Sequence, residues 1–250
     1  MIVIMIILLF LIGAIPPLAL FFWLRGGMKK DDGAYQTLCV QALRDGVLCS
    51  FVILLVSLAF NILEAVTGIK NSHPILREIT HTFIVLAFSE ELVKYLTFKR
   101  FMKKHDYAYS WLDMTVFMTI IGMGFGVIEN LAVAIDANPI VMLIRGITIG
   151  HGGYGFIMGY FMGKAEKTGK KMYVRIGFLL PWLLHGAYDC GLSQPLNDLN
   201  DNIGIISVFL AFFSLITIII FIIFFAKTRK NEVYTSPLHL TGNQDASAEF

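Results

Sequence analysis

The chain has 250 residues, 56% of them hydrophobic and only 15% charged, with a formal net charge of +2. With a mean hydropathy of +0.71, that balance excludes a water-soluble globular domain and describes a polytopic membrane protein. It gives no case for nucleic acid either, because the basic residues are spread over short segments between apolar runs.

A span needs about 20 mostly apolar residues. In chain order the apolar runs are 2–24, 36–60, 74–98, 110–135, 139–163, 172–194 and 203–226. The expected fold is an all-α membrane protein, a polytopic bundle of about seven transmembrane helices in one domain, 1–226. No basic region precedes the first run, and Arg25, Lys29 and Lys30 follow it, so it reads as a retained span rather than a secretory signal. Lysines and arginines then recur in RGGMKK, KRFMKK, KAEKTGKK and KTRK, after the first, third, fifth and seventh runs. The alternate loops, NILEAVTGIKNSH, DANP and QPLNDLNDN, hold a single lysine. That alternation predicts an integral protein of the cell membrane with its N-terminus outside and its C-terminus in the cytoplasm. Residues 227–250 are expected to form a disordered cytoplasmic tail, being polar and aperiodic after Lys230; His239 lies there, away from any chemistry. Cys39 and Cys49 lie about 15 Å apart along one predicted helix, too far to pair, and Cys190 stands alone. The chain shows no internal repeat of the kind that marks many transporters.

Charged side chains inside spans cost about 2.5–3.5 kcal/mol each on insertion scales, so they call for a partner, a wet cavity or a task. The third span carries Glu90, Glu91 and Lys94 in FSEELVKYL, the fourth Glu129 and Asn130, the fifth His151, the sixth His185 and Asp189. Arg44, Asp45 and Arg145 fall nearer predicted ends, where long side chains snorkel, and are assigned to the interface. His81 reads as a packing residue, His73 and His105 as loop residues.

Glu90 and Lys94 are four apart, as are His185 and Asp189, which places each pair on one helix face. Lys94 can hold a carboxylate ionised, and Asp189 can accept from one nitrogen of His185, fixing its tautomer. His151, Gly155, Gly159 and Gly163 recur every four residues, and Gly122, Gly126 and Glu129 share a face in the same manner. Such small-residue stripes let helices approach closely, so His151 faces protein and a buried polar cavity is expected. From Asp113 to Glu129 a straight helix covers about 24 Å, so the fourth span either starts outside the bilayer or bends at GMGFG.

Each feature has a plainer reading: an ion pair fixing helix register, or glycines that only pack. Three glutamates, two histidines, an aspartate and an asparagine on four helices exceed what packing requires. Peptide hydrolysis needs an activated water, a group that takes and returns its proton, and oxyanion stabilisation. Two histidines and a carboxylate could hold zinc with an open position; alternatively, one of two adjacent glutamates stays protonated as an acid. The chain lacks HExxH, no GxGD follows Tyr188-Asp189, and Gly191 to Ser193 has no histidine in the last span to serve a rhomboid-type serine.

Glu90-Glu91-x-x-Lys94, Phe125-x-x-x-Glu129-Asn130, His151 in a glycine-rich span and His185-x-x-x-Asp189 form an ordered series over residues 88–191. This series resembles the motifs of the PrsW-type membrane proteases, which are grouped with the CAAX prenyl endopeptidases. The resemblance implies a polytopic endopeptidase acting on membrane-anchored proteins such as anti-sigma factors. It implies Glu90 and Glu91 as catalytic carboxylates supported by Lys94. Glu129, His151 and His185 would complete a water-activating or zinc site, Asp189 would orient His185, and Asn130 would donate to the oxyanion. The family is labelled metalloprotease, whereas the CAAX enzymes activate water with glutamate and histidine; the sequence leaves both open. Two other classes use similar residues: a proton-coupled transporter, and a non-catalytic sensor or immunity protein.

Overall fold

Apolar sequence in lipid satisfies its backbone within each segment, and helices are the outcome here. A computed structural model describes residues 2–29, 31–67, 74–105, 107–135, 139–193, 196, 198 and 202–238. Among them the only non-helical pairing is an isolated bridge between Ser110 and Pro237. The helices are α1 (Ile2–Gly27), α2 (Gly33–Thr67), α3 (Pro74–Thr80), α4 (Ser89–Lys104), α5 (Trp111–Val133), α6 (Pro139–Thr148), α7 (Gly150–Thr168), α8 (Lys171–Leu192), α9 (Ile203–Thr228) and α10 (Glu232–Thr235). Between α3 and α4 a π-helical segment, His81–Phe88, continues the same rod, since Thr80 and Ser89 both keep right-handed helical dihedrals.

Five helical stretches are long and apolar enough to cross a bilayer: Val3–Gly27, Gly33–Thr67, Trp111–Val133, Pro139–Thr168 and Val208–Thr228. The rod from Pro74 to Lys104 and helix α8 fall outside that measure; the rod carries Glu90, Glu91 and Lys94 within it. Two helices run past their predicted ends. α2 continues to Thr67, where Glu64 meets Arg77 of α3. α4 continues through KRFMKK to Lys104, with Lys103 and Lys104 in its last turn, where the helix dipole favours cations.

Helix α5 is the centre of the bundle, with every residue from Trp111 to Gly126 buried. Its two faces are pressed against neighbours at glycines. A Cβ on Gly122 would lie 2.2 Å from the carbonyl oxygen of His151 in α7, and one on Gly124 would lie 2.3 Å from that of Leu43 in α2. No side chain fits at either place, so the glycine stripe sets how near His151 comes to α5. The helix is not interrupted at GMGFG.

Polar clasps fix both ends. At the basic end, Ser110 and Asp113 form a capping box, and Asp113 accepts from Lys29 at 2.7 Å. Lys29 also donates to the Tyr107 hydroxyl at 2.9 Å, which donates to Asp32 at 2.9 Å. At the other end, Arg77 donates to Glu64 at 2.7 Å and to Glu78 at 2.9 Å, and Ser193 donates to Glu78 at 2.9 Å. The segment after α9, expected to be disordered from 227, is held on the bundle as far as Leu238. Tyr234 packs on Trp111 with ring centres 5.0 Å apart, and the Leu238 amide donates to the Tyr109 carbonyl at 2.8 Å. Residues 239–250, with His239, lie outside the described residues, as do His73 and most of QPLNDLNDN.

The glycine contacts carry a test. Gly122→Ala forces α5 and α7 apart, and overpacking of this kind costs about 1–3 kcal/mol. Thermal unfolding in detergent should show the loss, at about 2–4 °C per kcal/mol. Gly26→Ala, where a Cβ meets nothing within 4 Å, should leave the transition unchanged.

Candidate active site

The rod from α3 to α4 delivers three charged side chains inward immediately after its π-helical stretch, a local widening that recurs at functional sites. Glu90, Glu91 and Lys94 are all buried. The Lys94 ammonium lies 2.6 Å from Glu91 Oε1 and donates to His151 Nδ1 at 3.0 Å. It also sits 4.5 Å from the centre of the Phe125 ring. Glu90 Oε2 is farther, at 4.0 Å. The i,i+4 spacing suggested Glu90 as the lysine's partner; the i,i+3 neighbour Glu91 takes that place.

His185 of α8 donates from Nδ1 to the same Glu91 oxygen at 2.9 Å. Its other nitrogen, Nε2, faces Asp189 Oδ2 at 3.4 Å and Glu90 Oε2 at 3.8 Å. The sequence pointed to Asp189 as the partner that orients His185, but the shorter bond comes from Glu91, on a helix the local spacing could not reveal. Tyr154 stacks on His185 with ring centres 5.1 Å apart.

His151 is gripped at both nitrogens. Nδ1 accepts from Lys94, so Nε2 carries the proton directed at Glu129 Oε2, with which it is in close contact. Glu129 Oε1 is paired with Arg145 at 2.8 Å, Arg145 Nε donates to Asn130 Oδ1 at 2.9 Å, and the Asn130 amide donates to the Gly13 carbonyl at 3.1 Å. Asn130, read as an oxyanion donor, therefore spends its amide on α1. Arg145, assigned to the interface, is instead largely buried and anchors Glu129. Only its place six residues before His151 hinted at this, because snorkelling and pairing look alike in sequence.

Arg145 can reach Glu129 because α6 and α7 are separate helices. Ile149 joins them in a left-handed conformation, φ 45° and ψ 46°, strain of about 1–3 kcal/mol for a β-branched residue. The first turn of α7, starting at Gly150, receives no side-chain cap from Ile149. Irregular backbone at membrane depth is tolerated where it lines a cavity. Ile149, Gly150, His151 and Gly152 line one of about 40 Å³, with Glu129, Arg145, His185, Tyr188 and Asp189. Glu90, Glu91 and Lys94 are not in its wall; they meet it through His151 and His185.

All eight residues singled out in the sequence thus fall in one connected network across α4, α5, α7 and α8. Donor atoms of Glu90, His151 and His185 lie within 4.8 Å of one another. The Oε2 atoms of Glu90 and Glu91 are buried without a hydrogen-bond partner. Two imidazoles and a carboxylate with an orphaned oxygen match zinc in donor type, but both nitrogens of His151 are taken by Lys94 and Glu129, so that ring would serve only by releasing one of them. Glu129, expected among such ligands, contacts His151 and Arg145 instead.

Buried glutamates and histidines joined in this way inside an apolar helical bundle define a membrane protein with an internal polar site. The chain matches the family described as PrsW family intramembrane metalloprotease over residues 36–225. It is 34% identical over 116 residues to Protease PrsW of Shouchella clausii, covering 45% of this chain and 54% of that protein. Protease PrsW of Halalkalibacterium halodurans is 30% identical over 182 residues, 70% of this chain and 78% of that protein. That of Clostridioides difficile is 26% identical over 196 residues, 72% of this chain and 77% of that protein. No solved structure matches. This chain belongs to the PrsW family, although it spans about half the length of the Shouchella relative.

The Arg145–Glu129 pair gives a prediction. Arg145→Gln strands a largely buried carboxylate and should destabilise the protein by about 2 kcal/mol or more, towards the ~3–5 kcal/mol of a fully buried pair. In thermal unfolding, the double variant with Glu129→Gln should recover part of that loss, giving a positive coupling energy in a double-mutant cycle.

Proposed function

We propose that this chain is a membrane-embedded endopeptidase hydrolysing peptide bonds of membrane-anchored proteins, with its site at the Glu90–Glu91–His151–His185 network. The observation that carries the reading is the unequal state of the adjacent glutamates. Glu91 is committed to Lys94 and His185, whereas Glu90 Oε2 is buried, unpartnered and 3.8 Å from His185 Nε2.

On this reading Glu90 accepts the proton of the attacking water and returns it to the leaving amine. Glu91 holds His185 in the tautomer that presents the Nε2 lone pair, and Lys94 keeps Glu91 ionised. Glu129 and Arg145 fix the His151 ring, Asp189 borders the space beside His185 Nε2, and Asn130 supports Arg145. The uncapped first turn of α7 provides amide donors, with the helix dipole behind them, for an oxyanion. Zinc, where it is bound, would be held by Glu90, His151 and His185 and would supply Lewis-acid polarisation of the substrate carbonyl.

The wider reading follows the same lines. The rod Pro74–Lys104 and α8 cross the bilayer with the five apolar stretches, making seven spans around a polar catalytic cavity. Their charges are tolerable because they are paired inside the bundle. Residues 1–226 form the protease domain and 227–250 a cytoplasmic tail, and the alternation of basic loops orients the N-terminus outward in the cell membrane. The partners are the lipid bilayer and a membrane-anchored protein substrate of the anti-sigma-factor type.

Reconstitution with a membrane-anchored reporter tests this. Glu90→Gln should lower cleavage by about 10²-fold or more while unfolding at the wild-type temperature, whereas Glu91→Gln, which strands the buried Lys94 ammonium, should lower both cleavage and the unfolding temperature. Undiminished cleavage in well-folded Glu90→Gln protein would remove the carboxylate from the chemistry. Proton flux lost in that variant, with no cleavage by wild type, would make the chain a transporter instead.

Metal content gives a second, substrate-independent test. Purified protein should contain about one zinc per chain, lost in both His151→Ala and His185→Ala. Cleavage by metal-free wild type would leave Glu90 and the histidines to act without the ion.

A further inference from the structure

A second space opens off the cavity at His151. It encloses about 220 Å³ between α6, α8 and α9, and it shares Thr148 and Tyr188 with that cavity. Each helix gives it one stripe: Ile144 and Ile147 from α6, Leu192 four residues after Tyr188 from α8, and Val208 and Phe212 from α9. Leu192, Val208 and Phe212 are exposed on the outer surface of the bundle. Thr148 and Tyr188 are the only polar residues in its described wall, and both stand where it meets the cavity. Tyr188 is hydrogen-bonded to Arg145, and Thr148 immediately precedes the left-handed Ile149 and the uncapped first turn of α7.

The groove therefore changes character along its length, from apolar at the lipid side to hydroxyl-lined beside the catalytic network. An acyl chain matches only the first part. A peptide matches both, because each residue joins a side chain to a polar peptide group. At about 220 Å³ the groove exceeds the ~150 Å³ of an engineered apolar cavity that takes benzene, which is room for a leucine or phenylalanine side chain. Its described wall holds no charged residue, so an aspartate or lysine seated there would lose its hydration without gaining a partner.

Resting on the protease reading above, we propose that this groove is the specificity subsite for a large apolar substrate residue next to the scissile bond. Thr148 and Tyr188 form the threshold between that side chain and the peptide group to be cut. Successive residues of an extended chain rise only about 3.3 Å. A side chain held in the groove at this threshold therefore keeps the adjoining peptide group beside the first turn of α7, at Gly150 and His151, which line the cavity. The substrate reaches the groove from the bilayer, since its apolar stripes face outward between α6, α8 and α9.

A single-span reporter, cleaved by the reconstituted full chain and with its cut site mapped by mass spectrometry, tests the subsite. Versions with leucine, alanine or aspartate at each position flanking the cut are compared. At one of those positions leucine should exceed alanine in kcat/KM by about 10-fold or more, and aspartate by more still. Leu192→Trp and Val208→Trp each fill the groove from a different helix and should abolish the leucine preference without slowing the alanine reporter. p-Benzoylphenylalanine at position 208 of Glu90→Gln protein should photo-crosslink to the leucine reporter near its cut site. The same group at position 58 of α2, exposed but outside the groove, should not. Cleavage with no apolar preference, or with a preference that both folded tryptophan variants retain, would overturn the inference and leave the protease reading standing. Crosslinks from position 208 to lipid alone, in a chain whose wild type cleaves the reporter, would make the groove a lipid seat and overturn it too. Wild-type protein that cleaves no reporter would remove the protease reading, and the subsite with it.

Discussion

A lysine ammonium with no solvent exposure is the constraint around which the bundle is arranged. Desolvating an ion costs several kcal/mol even after relaxation, and only close partners in good geometry offset it. Lys94 finds them on three other elements and one on its own. Glu91 of α4 supplies the counter-charge, His151 of α7 a lone pair and Phe125 of α5 a ring face, while His185 of α8 shares the same carboxylate. Moving any one of these helices outward would strand the charge. The helices that carry the network are therefore locked by electrostatics in the place where hydrophobic packing, which has little hold between helices in lipid, is weakest.

Close approach has to be possible before these bonds can form. Gly122 lets the His151 carbonyl lie against α5, and the left-handed Ile149 ends α6 one residue before α7 begins. A continuous helix through residue 149 would direct the α7 amides to their usual intrahelical partners and turn Arg145 relative to Glu129. The backbone strain at Ile149 is thus maintained by the contacts it permits: Arg145 with Glu129 and Asn130, and Glu129 with His151. Strain at a site so strongly determined by its neighbours is a common mark of function.

Much of this was legible in the sequence because lipid makes polar residues conspicuous. Glu90, Glu91, Lys94, Glu129, Asn130, His151, His185 and Asp189 stand out against their apolar surroundings, and the glycine spacing pointed His151 inward. Pairings were less legible. Spacing along one helix offered Glu90 for Lys94 and Asp189 for His185, whereas Glu91 sits closer to both: to Lys94 as its i,i+3 neighbour on the same helix, and to His185 across a helix–helix contact. Arg145 was misassigned since a cation near a span end has two equally ordinary fates. The break falls on a β-branched residue, Ile149, and the glycine beside it, Gly150, does not single out a break in a glycine-rich span; the order from Asn231 to Leu238 depends on aromatic packing of Tyr234 that composition does not encode.

The doubled glutamate is then a division of labour between neighbours and not a redundancy. Two carboxylates one residue apart point about 100° from each other on a helix, so the same turn can serve two environments. Glu91 is turned towards the ammonium and the imidazole and spends its charge holding them. Glu90 is turned towards the gap beside His185 Nε2, with a buried oxygen left over. Fixing the lysine with Glu90 as well would consume the unpartnered acceptor that lies beside His185 Nε2. The nearer pairing of Lys94 with Glu91 leaves Glu90 available, which is the condition a general base in this position has to meet.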